Sequence, residues 1–203
     1  MDWNKVKLNY EKLMSEVYPQ PDEQGRIDLF REALIWSGLG VKYPCKKVID
    51  IGCGEGYAQE LINYFGMDYL GIAWGNDVEV AQSKDRNVFQ MDMNSLDFQD
   101  KQFDGFIMSH SWEHSPMPLI MLMEAQRVTK SYGLIILPHP DWYKFRGQNH
   151  FSVMLPAQVE NLCEHLGMTI LNQHVHKRQG NPDRYAPNEW TNDELWYVVR
   201  WNE

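Results

Sequence analysis

The sequence predicts an α/β fold built on a mostly parallel sheet. From Lys46 onward, short apolar runs alternate with helical segments, and a glycine-rich turn follows the first run. The chain of 203 residues suits one compact domain, expected here to span 1–203 with a helical cap over 1–40 and the sheet-bearing core over 45–203.

Val6, Tyr10, Leu13, Met14 and Val17 recur at three- and four-residue steps before Tyr18-Pro19-Gln20-Pro21 breaks the run, which predicts a first helix. Ile27, Phe30, Leu34 and Ile35 give a second helix its apolar face, and Gly38 and Gly40 offer its stop. Five strands are then expected at Lys47 to Ile51, Tyr69 to Ala73, Asn87 to Met91, Phe103 to Ser109 and Leu134 to Leu137. Helices are expected near Tyr57 to Phe65, Val78 to Ser83 and Leu119 to Thr129. Beyond a polar and aromatic connection, Pro156 opens a helix with Val159, Leu162, Cys163 and Leu166 as its buried stripe. Met168 to Val175 and Leu195 to Trp201 read as strands joined by a polar loop. With no helix between them, the last strand should run antiparallel.

Composition excludes several function classes. Nineteen basic against twenty-eight acidic residues leave a net charge of −9, a field that repels nucleic-acid backbones. No run approaches the roughly 20 apolar residues of a membrane span, and the N-terminus lacks a signal-peptide pattern, so a cytoplasmic protein is expected. Cys45, Cys53 and Cys163 are odd in number and widely spaced, which predicts free thiols rather than disulfides or a cysteine metal site.

The most informative stretch is Val48-Ile49-Asp50-Ile51-Gly52-Cys53-Gly54-Glu55-Gly56, a strand entering a glycine turn that opens a helix. A dinucleotide fingerprint would need its third glycine at position 57, which is Tyr57, and no lysine-bearing phosphate loop is present. Val88-Phe89-Gln90-Met91-Asp92-Met93 follows. Next come Phe103-Asp104-Gly105-Phe106-Ile107-Met108-Ser109-His110-Ser111-Trp112-Glu113-His114 and Met123-Glu124-Ala125-Gln126-Arg127-Val128-Thr129-Lys130-Ser131-Tyr132-Gly133, a helix and a turn into strand five.

In order and spacing, residues 45 to 175 resemble the class I S-adenosylmethionine-dependent methyltransferases, particularly their small-molecule branch. The resemblance implies a Rossmann-like sheet of seven strands in the order 3-2-1-4-5-7-6, with helices on both faces. It implies S-adenosyl-L-methionine as cofactor and a small-molecule methyl acceptor. Asp50 then matches the acid that holds the methionine end, and Gly52, Cys53, Gly54 and Gly56 the backbone beside the cofactor. Asp92 and Met93 match the adenine contacts, and Ser109 and His114 are expected among the cofactor-binding residues.

One departure from the family pattern concerns the ribose. An acid usually ends strand two there, and Ala73 stands in its place, followed by Trp74. Loss of a charged acceptor costs about 1.5–3 kcal/mol of affinity if nothing replaces it. Asp77 is the candidate substitute, and Trp74 the candidate to pack on the adenine face. The departure also admits an alternative, a methyltransferase-like binding or regulatory protein without turnover.

A competing motif is His110-Ser111-Trp112-Glu113-His114, which satisfies the H-x-x-E-H pattern of zinc hydrolases through His110 and His114. Such a site needs a continuous helix, and Pro116 and Pro118 leave little room for one, so no metal is expected. His139, Asp141 and His150, just beyond strand five, are the candidate catalytic bases, with His150 the first choice. Trp142, Tyr143 and Phe145 are candidate acceptor-pocket residues. No Asn/Asp-Pro-Pro-aromatic run follows strand four, which argues against nucleic-acid bases as acceptors.

Overall fold

The computed structural model describes residues 23–140, 150–177 and 193–202. The first predicted helix, Asp141, the Trp142–Phe145 aromatics and most of the polar loop before the last strand lie outside the described residues.

Helix α1 (Glu23–Ser37) precedes β1 (Lys47–Ile51), α2 (Gln59–Tyr64), β2 (Asp68–Ala73), α3 (Asn76–Ser83), β3 (Val88–Gln90) and β4 (Phe103–Ser109). A single 3-10 turn (Trp112–His114), α4 (Pro118–Val128), β5 (Thr129–Pro138), α5 (Pro156–His165), β6 (Met168–His176) and β7 (Glu194–Trp201) complete the chain. The strands form one seven-stranded sheet in the order β3-β2-β1-β4-β5-β7-β6. Strand β7 runs antiparallel to both β5 and β6, while the β1, β2, β3, β4 and β5 pairings are parallel. Order and direction agree with the expected fold.

Side chains on a strand alternate between faces, and each face of this sheet buries its own helices. Ile49, Ile51, Phe106, Met108, Ile135, Tyr197 and Val199 pack with Met121, Leu122 and Ala125 of α4 and Val159 and Cys163 of α5. Val48, Ile107, Leu134, Ile136 and Trp196 pack on the other side with Phe30, Ala33 and Leu34 of α1, Ile62 of α2, and Val78 and Ala81 of α3. Asp50 falls on this second side by the same alternation, which places a carboxylate in the α1–α3 layer.

Two elements differ from expectation for identifiable reasons. Ile35 is 60% exposed, because the buried stripe of α1 runs through Phe30, Ala33, Leu34 and Ser37 at helical spacing. Strand β5 begins at Thr129, so Ser131-Tyr132-Gly133 is strand and not turn. Thr129 ends the helix by donating its hydroxyl to the Ala125 carbonyl and accepting the Trp201 indole N–H at 2.9 Å. Gly133 is there because the Phe106 ring occupies the place of a side chain: an added Cβ would lie 2.1 Å from it.

Arg127 fixes the loop between β3 and β4. Its guanidinium donates to the carbonyls of Leu96 (2.6 Å) and Phe98 (2.7 Å) and to Glu124 (2.8 Å), while Glu124 accepts the Leu96 amide at 2.7 Å. Arg127→Ala strands those acceptors and is expected to cost about 2 kcal/mol, read as a lower midpoint in urea unfolding.

Candidate functional site

Strand order reverses between β1 and β4, and in open parallel sheets the crevice beyond the carboxyl ends at such a point receives ligands. The chain leaving β1 there is the glycine turn. Gly52, Gly54 and Gly56 have φ of +76°, +57° and +69°, a region costly for other residues. The Gly52 and Cys53 amides donate to the Ile72 carbonyl at 3.0 and 2.9 Å, which anchors the turn to β2. A Cβ on Gly52 would lie 2.4 Å from the Ser111 Cβ, so the segments following β1 and β4 are in van der Waals contact.

Asp50 sits two residues before this turn and is 3% exposed. Its Oδ2 accepts the Tyr69 hydroxyl at 3.3 Å, and its Oδ1 is buried with no hydrogen-bond partner. Burial pushes its pKa up to about 7, against the opposing effect of the Tyr69 hydrogen bond. A buried carboxylate with a bare oxygen calls for a cationic donor.

Three side chains surround the turn. Asp77, in the first turn of α3, brings Oδ2 to 3.6 Å from where a Gly54 Cβ would be. Its pKa is raised by burial and by Glu55, with Arg26 opposing. Arg26 of α1 lies over the Tyr57 ring at 5.0 Å, and Tyr57 is hydrogen-bonded to Ser109. Burial, reinforced by Asp50, pushes the Tyr57 phenol up to about 12, so it stays protonated. Arg26 and Tyr57 escaped the sequence reading: nothing marks an arginine on an amphipathic helix as facing a turn some 30 residues later.

Cys53 contributes backbone rather than thiol. Its side chain is 4% exposed and lies against Gly71, where an added Cβ would be 2.5 Å from Sγ. Ala73 closes β2 and is buried, with half-buried Trp74 next to it. Beyond β3, Asp92 Oδ1 accepts the Asn94 amide (2.8 Å) and side-chain amide (3.0 Å), and Met93 is buried. Asn94 in turn accepts the Ser115 hydroxyl at 2.7 Å, which ties the end of β3 to the segment after β4.

That segment holds a cluster of imidazoles and carboxylates. His110, at φ +51°, pairs its Nδ1 with Glu113 (3.2 Å) and its Nε2 with Glu194 (2.8 Å), and Glu194 also accepts the Trp196 indole N–H at 2.9 Å. Burial alone would lower the His110 pKa, but the two carboxylates outweigh it and push it up to about 10. His110 is therefore a fixed imidazolium. Both of its nitrogens are spent on carboxylates, and the motif forms one 3-10 turn instead of a helix, so the His110/His114 zinc-hydrolase geometry does not arise.

The same turn collects a different set. The Glu113 carbonyl accepts the Phe151 and Ser152 amides at 2.7 and 3.1 Å, which docks residues 150–152 onto it. The rings of His114 and His150 meet edge to face with centroids 4.7 Å apart. Burial, with smaller contributions from His114 and His110, pushes His150 down to about 4 against the pull of Glu113, so it is neutral at pH 7. His139 lies after β5, where its amide donates to the Asp193 carbonyl at 2.9 Å. Glu194 and Trp196 were not singled out as site residues, since β7 reads as plain core strand, and Glu113 was read only within the H-x-x-E-H motif.

Residues 49–137 match the family model described as a methyltransferase domain. S-adenosyl-L-methionine is the cofactor of that family. Solved structures agree on the fold. A SAM-dependent methyltransferase from Archaeoglobus fulgidus superposes with a TM-score of 0.67 at 18% identity, over 88% of this chain and 94% of that one. One from Aquifex aeolicus gives 0.62 at 18% identity, over 89% and 99%. A chain from the complex containing the Haloferax volcanii Trm112 methyltransferase activator gives 0.71 at 15% identity, over 89% and 94%. Comparison with curated proteins found no match. No helix among the described residues is long and apolar enough to cross a membrane.

Proposed function

We propose that this methyltransferase domain binds S-adenosylmethionine at the Gly52–Gly56 turn and transfers its methyl group to a small-molecule acceptor, as a single-domain cytoplasmic enzyme. The observation that carries the reading is Asp50. Its buried Oδ1 lacks a partner two residues before the glycine turn, and an ammonium group meets that need.

The residues present fit the cofactor. Asp50 would accept from the methionine ammonium, and Arg26, at the same turn, is suited to the methionine carboxylate. Gly52, Gly54 and Gly56 supply the positive-φ turn, with room for a ligand against the backbone at Gly54, and Cys53 adds its main chain. Asp77 takes over the ribose hydroxyls from the acid that Ala73 lacks, with Trp74 beside it, while Asp92 and Met93 receive the adenine. When bound, the cofactor supplies an electrophilic methyl carbon on a sulfonium, so the protein's main task is alignment.

Ser109 and His114 belong with the cofactor-binding set at the end of β4, and His150, neutral at pH 7, is the first candidate to take a proton from an acceptor hydroxyl. His139 and Asp141 remain candidates for the same duty. The net charge of −9 and the absence of the Asn/Asp-Pro-Pro-aromatic run favour a small acceptor over nucleic acid.

Incubation with methyl-labelled S-adenosylmethionine and fractionated cell extract tests the reading. Label is expected in the small-molecule fraction. Label confined to protein or RNA overturns the acceptor class, and cofactor binding with no transfer to any fraction favours the binding-protein alternative that Ala73 suggests. Asp77→Asn is expected to weaken cofactor affinity about 10–100-fold with little change in thermal stability, as measured by tryptophan fluorescence titration.

A further inference from the structure

We propose that Glu113, His114 and His150 form a binding site for one divalent transition-metal ion of the zinc type. Each residue offers one ligand atom, and the three atoms lie within 4.8 Å of one another. An ion with ligand bonds of about 2.0–2.2 Å needs its donors roughly 3.4 Å apart, a gap that small side-chain rotations close. Two imidazoles and one carboxylate are a donor set that zinc and other first-row divalent ions accept, with positions left open for an outside ligand.

Three observations separate this group from an ordinary hydrogen-bonded cluster. First, the Glu113 side chain is 1% exposed, and its Oε2 is buried with no hydrogen-bond partner, although two imidazoles stand close by. An imidazole N–H turned toward that oxygen would have satisfied it. Second, the other oxygen, Oε1, is held by His110, which is held in turn by Glu194, itself bonded to the Trp196 indole. Metal-binding carboxylates are typically oriented by such an outer layer of hydrogen bonds. Third, all three residues are fixed to one backbone unit. Glu113 and His114 share the 3-10 turn, and the Phe151 and Ser152 amides clamp the chain carrying His150 to the Glu113 carbonyl.

The site follows β4, and Ser111 between its residues and the strand packs against Gly52 of the cofactor turn. Three protein donors leave coordination open, and an oxygen of the acceptor is the ligand that would complete it; with an ion bound, His150 would serve as ligand in place of proton acceptor, and the ion would ease loss of the hydroxyl proton by lowering its pKa. The ion would then favour acceptors bearing a hydroxyl, a pair of adjacent hydroxyls or a carboxylate. This role rests on the methyl-transfer reading; the ion site itself rests on the three side chains alone.

The test uses the full chain, stripped with a chelator and titrated with zinc by calorimetry and with cobalt(II) by visible absorption. One equivalent of zinc is expected, with a cobalt ligand-field band of a low-symmetry nitrogen/oxygen site. Glu113→Gln and His114→Gln should each weaken zinc at least 100-fold, while His165→Ala, on the exposed side of α5, should leave it unchanged. No stoichiometric zinc, or zinc held equally tightly by Glu113→Gln and His114→Gln, overturns the proposal. Circular dichroism confirms that each variant is folded. If one is not, the other decides. S-adenosylhomocysteine binding is measured in parallel. Zinc without cofactor binding sinks the methyl-transfer reading and not the ion site, and cofactor binding without zinc does the reverse.

Discussion

Asp50→Asn is expected to abolish cofactor binding and to make the cofactor-free protein more stable at pH 8. Both effects come from the same buried carboxylate. In the bound state it supplies charge-assisted hydrogen bonds to an ammonium, and removing the charge should cost at least about 100-fold in affinity. In the free state that charge is a liability, because Oδ1 is buried with no hydrogen-bond partner.

The sign of the pH dependence follows. The folded pKa of about 7 lies above the ordinary 3.8, so the folded chain binds the proton more tightly than the unfolded chain does. The stabilising contribution of Asp50 is complete below the ordinary value and is lost as pH rises to about 7, a total of about 4 kcal/mol by linkage. Asparagine avoids that loss, so denaturant unfolding of the variant should exceed wild type at pH 8 and converge toward it near pH 4. Cofactor affinity of the wild type should move the other way, falling roughly tenfold per unit as pH drops below 7, because ligand binding then has to expel the proton.

The second large effect is expected from Gly52→Ala. Alanine at φ +76° costs about 1–2 kcal/mol in backbone strain alone. Its Cβ would also sit 2.4 Å from the Ser111 Cβ, so either the turn or the segment after β4 must shift by more than 1 Å. Since these are the two walls of the proposed crevice, binding of S-adenosylhomocysteine should be lost, with stability lowered by about 3 kcal/mol. The double variant Gly52→Ala with Ser111→Gly removes the clash but not the strain. Partial recovery of affinity is therefore expected, measured by calorimetry. If Gly52→Ala binds as well as wild type, the turn is not the cofactor wall.

Much of this was legible because the signals are local. A strand entering Gly52-Cys53-Gly54-Glu55-Gly56 needs backbone that only glycine adopts easily, and the alternation of Val48 and Asp50 against Ile49 and Ile51 assigns faces without any tertiary knowledge. The start of β5 was not legible, since Thr129 is held in the sheet by pairing with Phe103 of β4 and by the Trp201 indole, 72 residues away. The same holds for the acceptor end. H-x-x-E-H suggested His110 with His114, but His110 is taken by Glu113 on one nitrogen and on the other by Glu194, 84 residues away, while Glu113, His114 and His150 come together as a group. Asp77 was found because it lies in the next turn after Ala73, whereas Arg26 comes from a helix that precedes the sheet.

Calorimetric titration of the unmodified chain with S-adenosylhomocysteine at pH 8 decides whether Asp50 and the Gly52–Gly56 turn hold the cofactor. One site per chain is expected, weakening at pH 6 and absent in Asp50→Asn. No heat at millimolar ligand, or equal binding by the Asp50→Asn variant, would contradict it.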